Sequence, residues 1–344
     1  MSLVAALCVA SSVEANILSS GAGPTLYYGY HSGAGGGLDS NTTHYWNFDE
    51  GGVTYADTGL VSPSSNKINM TSSSGTASVS NLGLFSPGGA ANSAVRIGTS
   101  ATGSNRVTAF PLASNTTDNI TAAQANSLYG SNGAITIDLM LRPDFGQTFH
   151  ATASMRLINE ENEESGNLQN LFLAYNSQTD VVPTNAHVIE FKMDGAGTQV
   201  QAVVPFTGDN ALESGAWYHL AVIYTGDETA TDNVKFYWTK ISGPADLTPA
   251  ANLIGTATLT ADPLVFASTG PDFTFGNETN TTANKSWFGA LDSIRISDID
   301  RDPSGVGTGF IFFAVPEVNG FLMGLVCLSA MVVGSFCRRG QRAE

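Results

Sequence analysis

Bulky side chains run almost without a break from Trp217 to Tyr224 (WYHLAVIY), including two β-branched residues and four aromatic or imidazole rings. That composition predicts a strand buried on both faces. Gly215 before it and Thr225-Gly226-Asp227 after it are turn formers that give the strand clean ends. A second apolar run, Val234-Lys235-Phe236-Tyr237-Trp238, follows a polar loop, and the two predict an antiparallel hairpin. Further strand-like runs occupy 135–141, 155–158, 171–175, 188–193 and 199–206. Near the start, Tyr45, Asn47 and Asp49 alternate with Trp46 and Phe48, the period of two that turns one set inward. Late in the chain, 273–277 and 287–297 close the series. Between 60 and 133, Ser, Thr, Asn and Gly surround short apolar runs such as 94–97, a pattern suited to edge strands and long loops. Residues 16–40 form a Gly-rich lead-in, whose ordering would cost much entropy.

Short strands joined by polar turns imply an all-β chain, and the low share of charged residues, 13%, agrees. No linker divides the middle, so one antiparallel sandwich over 41–312 is the simpler reading of 344 residues. The formal net charge is −16, and it belongs to the body, because Glu14, Glu317 and Glu344 balance Arg338, Arg339 and Arg342 at the ends. An acidic body repels phosphate backbones, which argues against nucleic acid as a partner. Cys8, Cys327 and Cys337 all lie in terminal apolar segments, so the sandwich is predicted to hold without disulfides.

The two ends carry targeting patterns. Residues 1–15 have the apolar core and the Val13-Glu14-Ala15 cleavage site of a secretory signal peptide, without the usual basic start. A start codon placed too late accounts for that gap; a short buried helix is the competing reading. Residues 320–337 carry no charge and precede Arg338-Arg339. At ~1.5 Å per residue they reach about 27 Å, enough for a transmembrane helix with the arginines on the cytoplasmic side.

The hairpin motif W-Y-H-L-A-V-x-Y-T-G-D resembles the laminin-G-like or concanavalin A-like jelly roll. The blocks at 44–50 (HYWNFDE), 134–143 (AITIDLMLRP) and 287–298 (WFGALDSIRISD) agree with it in the order that family uses. The resemblance implies a jelly-roll fold, with sugar sites on loop rims or a concave sheet face. It also implies a structural calcium ion, for which the matching positions are Asp49, Glu50, Asp57 and Asp292. Calcium takes six to eight oxygens, so carboxylates gathered from distant segments make chemical sense; ordinary turn acids are the competing reading. In that family the F-x-x-G-N turn, here at 273–277, lies beside the strand that holds Asp292 and Arg295. Those two residues stand three apart, which on a regular strand points them to opposite faces.

Residues 313–344 resemble the PEP-CTERM sorting signal, which an exosortase reads in many Gram-negative bacteria. The resemblance is carried by Val315, Pro316 and Glu317, the apolar helix and the basic pair Arg338 and Arg339; Val318 stands where a second proline is usual. It implies cleavage near Pro316 and display at the cell surface or release. A permanent single-pass membrane anchor is the alternative.

Catalytic chemistry is sparse. Laminarinase-type glucanases place two carboxylates on one strand, and retaining glycosidases need them ~5 Å apart. Here the acidic run 159–166, with Glu160, Glu161, Glu163 and Glu164, lacks the intervening aspartate and reads as a solvated loop. The five histidines are scattered, and His219 sits in the buried strand as a packed polar residue. The sequence therefore predicts no enzyme. It predicts an exported bacterial surface protein, a non-catalytic module for carbohydrate or extracellular polymer. A structural component of the envelope or biofilm matrix and a glycoside hydrolase are the rival classes.

Overall fold

The computed structural model describes residues 41–48, 54–72, 78–80, 94–98, 107–110, 120–144, 154–162, 168–177, 187–193, 199–241, 251–260, 271–277 and 285–302. The leader at 1–15, the lead-in at 16–40, Asp49, Glu50, and the whole of 313–344 with its helix at 320–337 lie outside them. Among the described residues, no helix is long and apolar enough to cross a membrane.

The described strands begin with β1 (Thr42–Trp46), β2 (Thr54–Tyr55), β3 (Asn69–Ser72), β4 (Ser78–Ser80), β5 (Ala94–Gly98) and β6 (Val107–Phe110). A short helix, α1 (Ala122–Asn126), precedes β7 (Ile135–Pro143), β8 (Ser154–Asn162), β9 (Leu168–Asn176), β10 (Val188–Met193) and β11 (Val200–Val203). Then come β12 (Trp217–Tyr224), β13 (Val234–Ile241), β14 (Leu253–Ala257), β15 (Asp272–Phe275) and β16 (Gly289–Ser297). A front sheet runs β14-β13-β12-β7-β16-β5-β4, with β1 also paired to β16, and a back sheet runs β11-β10-β9-β8-β15-β6-β3-β2. Every pairing among the described residues is antiparallel. The chain is thus an all-β antiparallel sandwich.

The expected hairpin is β12–β13, in continuous register from Trp217↔Ile241 to Tyr224↔Val234. All eight residues of β12 are buried, as the unbroken bulky run predicts. Alternate residues divide between two faces. Tyr218, Leu220 and Val222 join Leu139, Trp46 and Trp238 against Leu173, Phe191 and Phe273 of the back sheet. Trp217, Ala221 and Ile223 form a second buried cluster with Met140, Tyr237 and Ala290 on the outer face of the front sheet.

Several expectations change. The acidic run is not a loop at its start, because Glu160 and Glu161 belong to β8, paired with β9 on one side and β15 on the other. Glu160 stands opposite Leu171 and Phe273, both core residues, and is itself fully buried. Leu157 and Ile158 before it fill the core and carry the strand onward; Glu163 and Glu164 fall outside the described residues. The strand expected over 199–206 ends at Val203. The turn at 273–277 and the segment from Trp287 do lie side by side, with Trp287 N donating to Gly276 O at 2.7 Å, although the strands they adjoin, β15 and β16, belong to opposite sheets.

Candidate functional site

The four residues matched to calcium ligands divide. Asp57 is buried, and both its oxygens are occupied by protein donors. Oδ1 accepts from Tyr45 N (3.1 Å) and Gly59 N (3.0 Å); Oδ2 accepts from Ile68 N at 2.9 Å and lies 2.6 Å from His44 Nδ1. The carboxylate thus ties the 57–61 turn to β1. Gly59 is required there, because a Cβ would stand 2.2 Å from Thr43 O. A place in a calcium shell would break this network. Asp292 is buried in β16, and Ser293 Oγ donates to its Oδ1 at 3.3 Å. Among the described residues, no three His, Cys, Asp or Glu side chains gather to hold a metal.

Asp292 and Arg295 share a face, contrary to their spacing. Asp292 pairs with Met140 and Arg295 with Asp138, and the register shifts between them. Ser293 takes φ 49°, so one extra residue bulges out and restores the same side. The bulge falls where β16 changes partner from β5 to β1. On the outer face Arg295 Nε donates to Asp138 Oδ2 at 2.9 Å, and His219 Nε2 lies 3.7 Å from Asp138 Oδ1. All three side chains are buried. Burial pushes the Asp138 pKa up, but Arg295 and His219 outweigh it and hold the carboxyl below its usual range. Burial pushes His219 down more than Asp138 lifts it, so the ring is neutral. This is the packed polar role the sequence assigned to His219.

After β16 the chain turns back over the same face as a strap, 298–302. Thr136 Oγ1 donates to Ile299 O (2.7 Å) and accepts from Arg301 N (3.1 Å). The fully buried Arg301 guanidinium donates to Ser297 Oγ at 2.7 Å and Thr42 Oγ1 at 3.2 Å. Asp302 accepts from Tyr237 Oη at 2.9 Å and contacts Lys235 Nζ. Burial, and then Asp302 itself, push the Tyr237 pKa well up, so its hydroxyl stays a donor.

Access is different at the rim, the loop 204–216 that crosses from β11 to β12. Phe206 is 48% exposed there, and no other aromatic among the described residues is exposed. Its ring meets His187 edge-on, with centroids 4.6 Å apart. His187 in turn contacts the Tyr175 hydroxyl, and Tyr175 packs on Trp287. Burial lowers the His187 pKa, so the ring beneath Phe206 is neutral at pH 7.

The loop itself is pinned. Tyr218 Oη donates to Ala211 O and accepts from Glu213 N, both at 2.6 Å. Trp238 Nε1 donates to Asn210 O (3.2 Å), and Lys240 N donates to Asn210 Oδ1 (2.8 Å). Tyr218 and Trp238 stack at 4.4 Å, so the central hairpin positions the rim with the polar tips of two core aromatics. Burial raises the Tyr218 pKa to about 12. Sequence reasoning placed Phe206 in a strand; the signal for the loop was its flanks, Pro205 before and Thr207-Gly208-Asp209 after.

No family model matches this chain, and no curated protein matches it. Among solved structures, domain 4 of AbnA, a GH43 extracellular arabinanase from Geobacillus stearothermophilus in complex with arabinotriose, is similar at 16% identity. That likeness covers 78% of this chain and 97% of that one, with a TM-score of 0.42. Trypanosoma rangeli sialidase in complex with 2,3-difluorosialic acid is 13% identical over 89% of this chain and 38% of that one, TM-score 0.45. The receptor binding domain of botulinum neurotoxin mosaic serotype C/D is 9% identical over 79% and 50%, TM-score 0.46. This chain therefore spans half or less of the sialidase and toxin chains, and likenesses of this degree carry nothing about its chemistry.

Proposed function

We propose that this chain is a displayed, non-catalytic carbohydrate-binding module on a jelly roll of the laminin-G or concanavalin A type, and that its ligand meets the 204–216 rim. The observation that carries the reading is Phe206, a half-exposed aromatic on a loop pinned by Tyr218, Trp238 and Lys240. The apolar face of a sugar ring packs on such a surface, and a loop already ordered before binding loses little entropy when the ligand arrives. The reading as non-catalytic is supported by Glu160, whose carboxyl lies inside the sandwich with Tyr129 Oη at 3.2 Å. Export, exosortase processing and surface display rest on the sequence of 1–15 and 313–344.

A glycan array tests the reading, with the wild type and Phe206→Ala side by side. We expect at least one glycan held by the wild type and lost by the variant. No hit with any sugar would favour the matrix-component role. Reducing-end release from β-glucan, abolished by Glu160→Gln, would instead restore the hydrolase. The calcium assignment predicts a melting midpoint that falls with a chelator; an unchanged midpoint removes the ion.

A further inference from the structure

We propose that Ser127 is an activated nucleophile, a site of covalent acylation by carboxylic esters, with His44 as its base. The proposal is independent of the glycan reading: one acyl group is taken up per chain, by residues that are no part of the rim. Three side chains far apart in sequence meet where β1, the 57–61 turn and the end of α1 come together. His44 Nδ1 lies 2.6 Å from Asp57 Oδ2, and His44 Nε2 lies 3.0 Å from Ser127 Oγ. His44 and Asp57 are buried, while Ser127 is half-buried, and Ala123 and Asn126 of α1 are exposed. Ser127 is thus the member of the group nearest solvent.

Local structure alone does not require this histidine. Asp57 already accepts from the backbone N–H groups of Tyr45, Gly59 and Ile68. Ser127 Oγ already has an acceptor in Gln124 O at 2.6 Å. An imidazole between two satisfied groups, stacked on Trp46 with centroids 5.8 Å apart, costs more to bury than an apolar side chain would. What it adds is a direction for a proton. A carboxylate only accepts, so the hydrogen on the Asp57 contact belongs to Nδ1, and the neutral ring then presents Nε2 to Ser127 as an acceptor. The serine hydrogen rests on Gln124 O and reaches Nε2 by rotation about the Cβ–Oγ bond.

In the step, Oγ attacks the ester carbonyl carbon as its hydrogen passes to Nε2. The C–O bond to the alcohol then breaks, and the leaving oxygen takes that proton from Nε2. The products are acyl-Ser127 and the free alcohol. Asp57 holds the ring in place and faces the positive charge it carries between the two transfers.

The test treats the full chain with a fluorophosphonate, which phosphonylates activated serines, and separately with p-nitrophenyl acetate, and maps the modified peptide by mass spectrometry. Wild type, Ser127→Ala and His44→Gln are compared, each folded and in urea, with circular dichroism as the check on folding. We expect modification at Ser127 in the folded wild type about a hundredfold faster than in urea, an effect within the range a positioned base supplies. It should be absent in Ser127→Ala and slowed about a hundredfold in folded His44→Gln. Should His44→Gln not fold, the folded and unfolded wild type decide. Equal rates in both states, modification spread evenly over other serines, or a folded His44→Gln that reacts like the wild type overturns the proposal.

Discussion

The outer face of the front sheet and the rim draw on the same two strands and are built in opposite ways. On β12, Tyr218 reaches through the core to pin the rim, while its neighbour His219 lies on the outer face beside Asp138. On β13, Trp238 holds Asn210 of the rim, while its neighbour Tyr237 holds Asp302 of the strap. One residue of offset thus separates a closed polar surface from an open loop. The closed surface uses charge for internal pairing, as in Arg295–Asp138. The open loop spends almost nothing on its exposed ring and much on holding the backbone beneath it. Each region makes its own prediction about where stability and where binding reside.

The largest effect belongs to the buried pair. Arg295→Met leaves Asp138 charged and fully buried without its guanidinium, which costs about 3–5 kcal/mol. Asp138→Leu combined with Arg295→Met removes both charges and should recover most of that loss, because two well-packed apolar side chains replace a desolvated ion pair. Urea denaturation reads both. If the single change costs under about 1 kcal/mol, the outer face is not the closed ionic surface described above.

The strap comes next. Arg301→Ala removes the guanidinium that donates to Ser297 Oγ and Thr42 Oγ1 and leaves a cavity in its place, and Asp302→Ala removes the carboxylate that accepts from Tyr237; each should cost about 1–3 kcal/mol. Since both residues hold one segment, the double variant should lose less than the sum of the two. Full additivity in a double-mutant cycle would mean that 298–302 does not act as a unit.

Much of this was legible in the residues and some was not, for identifiable reasons. The bulky run 217–224 announced a strand buried on both faces because no polar alternation interrupts it. The faces of β16 were misread because a bulge adds one residue to the count, and here it is made by Ser293 and not by the glycine that often marks one. Helix α1 was missed although Thr121 and Gln124 form a capping box, with Gln124 N to Thr121 Oγ1 at 3.2 Å. At five residues it offers no apolar periodicity to detect. Glu160 looked solvated because charge is normally outside; pairing with β9 and β15 on both sides overrides that preference. Asp57 was singled out by its family position, but four donors from three separated stretches are visible only in three dimensions.

A smaller effect on the closed face follows from acid. His219 has its folded pKa depressed by burial, so between that value and the unfolded value of ~6.5 the unfolded chain binds the extra proton. Its contribution to stability is therefore complete above pH ~6.5 and is lost as pH falls below it. His187 acts in the same direction. Asp138, also depressed, adds its loss only below about pH 4. The unfolding free energy should thus be level from about pH 7 to about pH 9, below the range where the buried tyrosines titrate in the unfolded chain, and should decline in two stages on the acid side. His219→Gln should shrink the first stage, leaving the part that belongs to His187; an unaltered decline would place the titration elsewhere.

The rim should give the smallest change in stability and the largest in binding. Tyr218→Phe removes one hydroxyl that serves Ala211 and Glu213, for about 1 kcal/mol. Phe206→Ala, at a half-exposed site, should cost under about 0.5 kcal/mol. If the pinned backbone matters for recognition, Tyr218→Phe weakens glycan binding with Phe206 intact, because the loop must then be ordered by the ligand. Isothermal titration separates the two variants: Tyr218→Phe should bind with a less favourable entropy, and Phe206→Ala should lose the interaction outright. Equal, mild losses in both would mean that the exposed ring is an ordinary surface residue and that the pinned loop serves the fold alone.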